Sequence, residues 1–510
     1  MGTASRHLAT SHASAFASLG YGGADASTRR EPGALLSRSR TTVVLLVAVV
    51  LIFSVSAAPA SSTTTVSKAL RFVVVKRTST NVTLERGSVR LVVGSSVRFV
   101  SVHGVPRYRV IKRAKTYWLL MPVVSVGAYG ARHDGRADDT AAIARAMSAA
   151  VRTAQGVYLP AGTYLAHSIT VPSGLAVYGA GMGKTWLKGS FVFRSYSSFT
   201  DLKIGDAGPS VRHTNGATTT SFTRCHFRGG GSGSETLLLG GSRSLYHITF
   251  TDCEIERTCG TSYSSNNTMS IYASQGGYVI EDITFEGCHF GVSNGTATGA
   301  PRMMVECWTA HDANSHWKNL TFRNCEFEPS NYHTLDFACY GDSGQGDGVL
   351  VEGCTFHGAG VPGAWLTENE DWGYAIDLEW PKNVVIRNNH FHRCFNSAIN
   401  DSNFGQPYNT AWTITGNTFD WDTTEQGIDA YRGIVCLSGA NNIITNNTFY
   451  DHAGFTSWPT NGCVEFRYST ATGNTVTGNT FYLGATNPNA TNQWNGATGN
   501  TISSNSVIRQ

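Results

Sequence analysis

The sequence predicts an all-β solenoid of stacked parallel coils, a parallel β-helix, and three observations predict it. One short phrase recurs from about residue 222 to the C-terminus: an apolar or β-branched strand, a small polar residue, then Cys or Asn, one variable residue and usually Phe, as in ITFEGCHF, LTFRNCEF, WTITGNTF and NTVTGNTF. The Cys or Asn of the phrase falls at Cys225, Cys253, Cys288, Cys325, Cys354, Asn389, Asn417, Asn447, Asn479 and Asn505, with intervals from 26 residues (479 to 505) to 37 (288 to 325). A fixed strand signature inside a unit of variable length is what a coil produces when it must return to the same edge while its loops grow outward. Finally, alternation such as Ile283 and Phe285 has the period of a strand, and Gly or Asn punctuates nearly every unit.

Parallel strands about 4.8 Å apart set like over like, so five Cys followed by five Asn predict two ladders. A buried Asn satisfies its amide through the next Asn and nearby turn carbonyls, whereas a buried free Cys acts as a small apolar filler. The change at position 389 is then a change from an apolar ladder to a hydrogen-bonded one.

Ahead of the repeats the chain divides into three. Residues 1–60 are polar and Ser/Ala/Gly-rich, carry the basic run Arg29, Arg30, Arg38 and Arg40, continue into the apolar run Val43 to Val55, and end in small residues. This is the pattern of an export leader, cleaved after Ala57 or kept as an anchor with its basic end inside. Either way the rest is expected outside the cytoplasm, secreted or on the cell surface, with membrane contact only through this segment. Residues 61–122, rich in Val, Thr, Lys and Arg, read as a small basic β module or a linker. Residues 123–510 are the β-helix. Of 510 residues, 41% are hydrophobic, enough for a large core, and a net charge of +4 is too small to argue for a nucleic-acid partner. The eleven cysteines lack any C-x-x-C pair, which argues against a zinc site. Those on the ladder face one way along the stack, so free buried thiols are expected, and Cys307 and Cys339 fall at a similar place in successive coils.

Residues 130–143 read G-A-x-x-D-G-x-x-D-D-T-x-A-I and are followed at 158–164 by Y-L-P-x-G-T-Y. Asp138, Asp139 and Thr140 read as an N-cap cluster for an Ala-rich amphipathic helix over about 140–152. The segment Gly179–Thr185 has the look of a phosphate loop but lacks its first glycine and a following helix, so it reads as a coil turn. These motifs resemble the opening of the pectate-lyase-like superfamily of right-handed parallel β-helices, in the branch that includes rhamnogalacturonases, epimerases and phage tailspikes. The resemblance implies a right-handed coil whose N-terminal end the helix caps, covering otherwise unpaired strand edges. It also implies a polysaccharide as partner, and likeness to tailspikes suggests a homotrimer, although the sequence bears no clear mark of one. The N-T-D, G-H-G, R-I-K and R-x-P-x-x-R signatures of polygalacturonases and calcium-dependent pectate lyases are absent, so no catalytic residue carries over.

Site residues must therefore come from register. Each coil has a strand ahead of the ladder phrase, and aligning Val305, Leu335, Ile376, Ile399, Ile434 and Val464 as inward places Glu306, Asp336, Asp377, Asn400, Val435 and Glu465 outward. Glu306, Asp336 and Asp377 would then stand about 5 Å apart in consecutive coils. Like charges so close raise at least one pKa and give a protonated acid beside an ionised base. Such a pair hydrolyses glycosides at about 5–5.5 Å with retention or about 6.5–9.5 Å with inversion. Alternatively the three hold Ca²⁺ for a lyase while a base such as Arg302, Lys318, Arg432 or Arg467 takes the proton; hydrolysis requires no cofactor or metal. Trp308, His333, Tyr340, Trp365, Glu379 and Asn400 supply aromatic faces and polar groups for a sugar, and Trp317 and Trp380 lie in the same stretch. The expectation is an extracellular enzyme that cleaves or modifies a polysaccharide, as a hydrolase ahead of a lyase. Two other readings stay open: a non-catalytic surface protein that binds glycan or acts as a spacer, and a solvated acidic face with no role.

Overall fold

From about residue 245 each coil but the last contributes three strands, and each strand pairs in parallel with its counterpart one coil on where there is one. The first face carries the strands that lead into the ladder residue, such as Val279–Glu286, His316–Arg323 and Gly346–Glu352. The second carries those that leave it, such as Glu326–Phe327, Thr355–Phe356 and His390–His392. The third carries Val305–Thr309, Leu335–Cys339, Tyr374–Glu379 and Ser397–Asp401. This computed structural model describes residues 123–509 apart from 206–210, 214–216, 230–234, 258–266, 275, 293–300, 310–313, 331, 340–345, 360–372, 393, 395–396, 403–410, 422–433, 452–461, 485–488 and 494–495, and it describes the backbone of six strands between 69 and 120. The leader expected at 1–60 lies outside the described residues.

Register sets like over like. Ile283 pairs with Leu320, Leu320 with Val349 and Val349 with Val384. Inside the coils Phe222, Phe250, Phe285 and Phe322 stack at 4.8, 4.7 and 5.0 Å between ring centroids. A second column runs through Phe290, Phe327, Phe356, Phe391, Phe419, Phe449 and Phe481, with neighbours 4.7 to 4.9 Å apart. Coil spacing rather than ring preference sets these distances, and burial supplies the stabilisation.

The small polar residue of the phrase has a backbone cause. Arg224, Asp252, Gly287, Asn324, Gly353, Asn388, Gly416, Asn446, Gly478 and Ser504, each just before the ladder residue, all have φ between 48° and 69°. That left-handed region is cheap for Gly and tolerated by Asn and Asp, and it turns the chain from the first face to the second.

The ladder forms as the spacing predicts. Asn389, Asn417, Asn447, Asn479 and Asn505 link coil to coil, the side-chain amide of each donating to Oδ1 of the next at 3.0 Å. The Cys half differs from the apolar filler expected. The Sγ atoms of Cys253, Cys288, Cys325 and Cys354 lie 3.5 to 3.6 Å from the carbonyls of Phe222, Phe250, Phe285 and Phe322. These are the positions that Val351, Ile386, Ile414 and Ile444 hold for the Asn amides, so the thiol is a weaker donor in the same place. A second Asn ladder, missed in the sequence, stands five residues earlier. Asn442 accepts from the backbone of Trp412 at 2.9 Å, Asn474 from Asn442 at 2.8 Å and Asn500 from Asn474 at 2.9 Å. All ten cysteines among the described residues are buried thiols, none bridged to another of them. Cys307 and Cys339 are not equivalent, since Cys307 pairs with Phe337 and Cys339 with Thr309.

At the N-terminal end the helix spans Thr140–Thr153 and buries Ile143, Ala146, Met147 and Ala150 in the same core as Val157 and Tyr164. Its N-cap position is Asp139, but the side chain does not cap it. Asp139 is buried and accepts instead from the backbone of Arg132 at 2.7 Å and His133 at 3.1 Å, tying the preceding turn down. Asp138 takes the Thr140 N–H at 2.9 Å. Thr185, at the end of the loop resembling a phosphate site, turns its hydroxyl to the carbonyls of Leu159 and Pro160 and begins the strand Thr185–Phe193. Between 69 and 120, six strands form one antiparallel sheet in the order 89–94, 81–86, 69–77, 116–120, 105–113, 99–102. Among the described residues no helix is long and apolar enough to cross a membrane.

Candidate functional site

The third face stacks the acidic residues in the predicted order. Ser270 pairs with Glu306, Glu306 with Asp336, Asp336 with Asp377 and Asp377 with Asn400. Beyond Asn400 the alignment slips by one residue: Cys436, not Val435, pairs with Asn400 and then with Glu465. Val435 lies over Ile399 in the inward aliphatic column, and Ile434, just ahead of it, is buried in the same core.

The column is covered rather than laid open to solvent as a polar face would be. Asp336 is 4% exposed and Asp377 is fully buried. Asp377 is held on both oxygens: Asn400 donates to Oδ1 at 2.8 Å, Ser402 donates at 2.8 and 3.0 Å, and the Leu378 N–H donates at 3.1 Å. His333 Nε2 stands 3.5 Å from Asp377 Oδ2, and its ring is sandwiched by Tyr332, 3.9 Å away, and Tyr374, 4.9 Å away. Glu306 accepts from Asn267 at 2.6 Å, with Arg302 4.0 Å off and the Arg302 guanidinium over the Tyr332 ring at 5.1 Å.

Asp336 is the exception. Among the described residues its Oδ1 is buried without a hydrogen-bond partner, although one oxygen from each of Asp336, Asp377 and Glu379 lies within 4.8 Å of the others. Burial above all, then the negative charges of Glu379, Asp377 and Glu306, push the Asp336 carboxyl well above its usual range. Glu306 is raised as well, chiefly by burial, against the pull of Arg302. Burial also lifts the Tyr332 phenol, so it stays protonated. A buried group of carboxylates this close cannot hold all its charge. It needs a proton or a cation, and an unpartnered oxygen beside Glu379 fits an oxygen-ligated ion such as Ca²⁺ as well as it fits a proton.

The other sequence-predicted residues divide. Trp308 is half-buried and stacks on Tyr272 at 3.6 Å, in the column that leads through Ala338 to Glu379. His333, Glu379 and Asn400 converge on the acidic column. Tyr340, Trp365 and Arg432 lie outside the described residues. Trp317 is a core residue, fully buried and packed against Phe337. Lys318 pairs with Glu281 on the first face, away from the column. Register alone did not point to Tyr332 or Ser402, which flank the strands, or to Tyr374, which opens its strand three residues before Asp377. Farther along, Arg467 binds Glu465 Oε2 at 3.1 and 3.2 Å, beside Cys436.

Residues 123–334 match the family model described as rhamnogalacturonase A/epimerase, pectate lyase-like, and residues 312–507 match that of the right-handed β-helix region. No curated protein matches the chain. Among solved structures it is similar to PfbA, a surface adhesin of Streptococcus pneumoniae, at 15% identity over 71% of this chain and 90% of that one, with a TM-score of 0.50. A second structure of PfbA covers 76% and 100% at the same identity and TM-score. The A-module of mannuronan C-5 epimerase AlgE4 from Azotobacter vinelandii shares 15% identity over 75% and 100%, with a TM-score of 0.46. The coil register and the two family models together show a right-handed parallel β-helix over residues 123 to 507, whose first part, residues 123–334, is similar to the rhamnogalacturonase A/epimerase, pectate lyase-like family.

Proposed function

We propose that this chain is a carbohydrate-active protein working outside the cytoplasm, and that it hydrolyses a polysaccharide lying along its third face. The observation that carries this reading is the buried, unpartnered Oδ1 of Asp336 amid three other carboxylates. A carboxyl kept protonated by its neighbours is a proton donor for a leaving glycosidic oxygen. Glu379, half-exposed and with an oxygen within 4.8 Å of one of Asp336, is the partner carboxylate, and a retaining reaction needs the two about 5–5.5 Å apart. Asp377, saturated by Asn400, Ser402 and His333, positions the pair rather than reacting. Trp308 provides an aromatic face alongside, and the leader pattern of residues 1–60 supports export. If the reaction is instead an elimination, Asp336, Asp377 and Glu379 would hold Ca²⁺, which would neutralise a uronate.

Incubation with a panel of neutral and acidic polysaccharides tests this. Hydrolysis gives new reducing ends without the ultraviolet absorbance of an unsaturated product, and elimination gives both. One observation favours a second reading, a non-catalytic glycan binder: Asp336 and Asp377 are too covered to meet a sugar without movement of the cover. Tight binding with no product from any polysaccharide would select it.

A further inference from the structure

On the second face, His390 and His392 are alternate residues of one strand, and Asp420 lies directly across from His392 in the next coil. One ligand atom from each falls within 4.8 Å of the others, and all three side chains are half-exposed. The two imidazole rings are 3.7 Å apart, and His392 Nδ1 stands 3.8 Å from Asp420 Oδ2. That gap is too long for a hydrogen bond. It is near the separation of two ligands that share a tetrahedral ion, since bonds of about 2.0–2.2 Å place neighbouring donors about 3.4 Å apart. A group of similar composition makes the contrast. His226, Glu254 and Glu256 also cluster, but Glu256 closes on His226 Nε2 at 2.8 Å and Glu254 on Nδ1 at 3.3 Å. Both nitrogens of His226 are engaged by carboxylates, and an ion there would have to displace those contacts.

We propose that His390, His392 and Asp420 bind a divalent transition-metal ion of the Zn²⁺ class, distinct from the acidic column of the third face. Two imidazoles and one carboxylate select such an ion over Ca²⁺ or Mg²⁺, which prefer oxygen. Because the ligands come from consecutive coils, the ion ties the coil of His390 to the coil of Asp420. Three protein ligands leave a fourth position for water or an incoming donor.

The full chain, prepared without a histidine tag and stripped with chelator, tests the site. Titration with Co²⁺ is expected to give visible absorption saturating at a single tight equivalent, and Zn²⁺ is expected to displace it and raise the melting temperature. His392→Ala and Asp420→Asn should each weaken Zn²⁺ binding by at least about tenfold and abolish the thermal shift, whereas His226→Ala should leave both unchanged. Loss of tight binding in His226→Ala but not in His392→Ala would overturn the assignment, as would the absence of any tight equivalent in the parent protein.

Discussion

Asn447 receives two hydrogen bonds from Asn417 through a single oxygen: the Asn417 backbone N–H reaches its Oδ1 at 2.9 Å and the Asn417 side-chain amide at 3.0 Å. The other amide hydrogen of Asn417 goes back to the Ile386 carbonyl at 2.9 Å. The Asn417 side chain thus satisfies two backbone groups of the preceding coil, the Asn389 N–H and the Ile386 carbonyl, while it reaches the next coil through the Asn447 side chain.

Asn417→Ala should therefore strand several buried groups at once and cost about 3 kcal/mol or more, at about 1–3 per unsatisfied group, read by chemical denaturation. Asn417→Cys should cost clearly less. Cys354 shows why: its Sγ accepts from the Cys325 N–H at 3.4 Å and donates to the Phe322 carbonyl at 3.5 Å. Equal losses for the two variants would mean that the thiol does not substitute for the amide.

Stability should also depend on Asp336. Its folded-state pKa is raised above the ordinary 3.8, so the folded protein holds a proton that the unfolded chain gives up. Stability falls as pH rises above that ordinary value, until the folded group ionises too. Asp336→Asn should accordingly raise the melting temperature at neutral pH, with the gain vanishing near pH 3. A loss at neutral pH would show the carboxylate paired after all.

Glu352 predicts the opposite sign and a small effect. Arg387 and Arg323 bind it at 2.8 and 2.9 Å and hold its pKa down, so its contribution is present at neutral pH and lost as pH falls through the lowered value. The arginines are about two-fifths exposed. Glu352→Gln should cost no more than about 1 kcal/mol, and less in high salt.

Gly189 marks a close approach. With φ at 127°, a Cβ there would stand 1.5 Å from the Ala166 carbonyl oxygen, beside the register shift between Leu165 and Ser168. Gly189→Ala should destabilise by at least about 3 kcal/mol. A melting temperature equal to the parent's would contradict this.

The coil stack was legible because its causes are local and repeated: the left-handed turn at Asn388 or Gly416, just before the ladder residue, needs a small residue, and the ladder needs a hydrogen-bonding side chain of one size. The order of Glu306, Asp336 and Asp377 was legible for the same reason. Register failed at Val435 because a two-aliphatic run, Ile434 and Val435, gives no parity. The second ladder at Asn442, Asn474 and Asn500 was in the sequence, five residues before the first, but it begins only after Trp412 and spans few coils. Burial of the acidic column was not legible, since it depends on flanking residues such as Tyr332 and Ser402 and on Tyr374 at the start of its strand, none of which the repeat marks.

The most direct test of the acidic column compares reducing-end release by the parent and by Asp336→Asn, on the polysaccharide that the parent cleaves and at matched far-UV spectra. Release should fall by at least about a hundredfold, as expected for removal of a general acid, and the parent's own rate should decline as pH rises through the raised pKa of Asp336. An Asp336→Asn protein that releases product at the parent's rate would contradict the account.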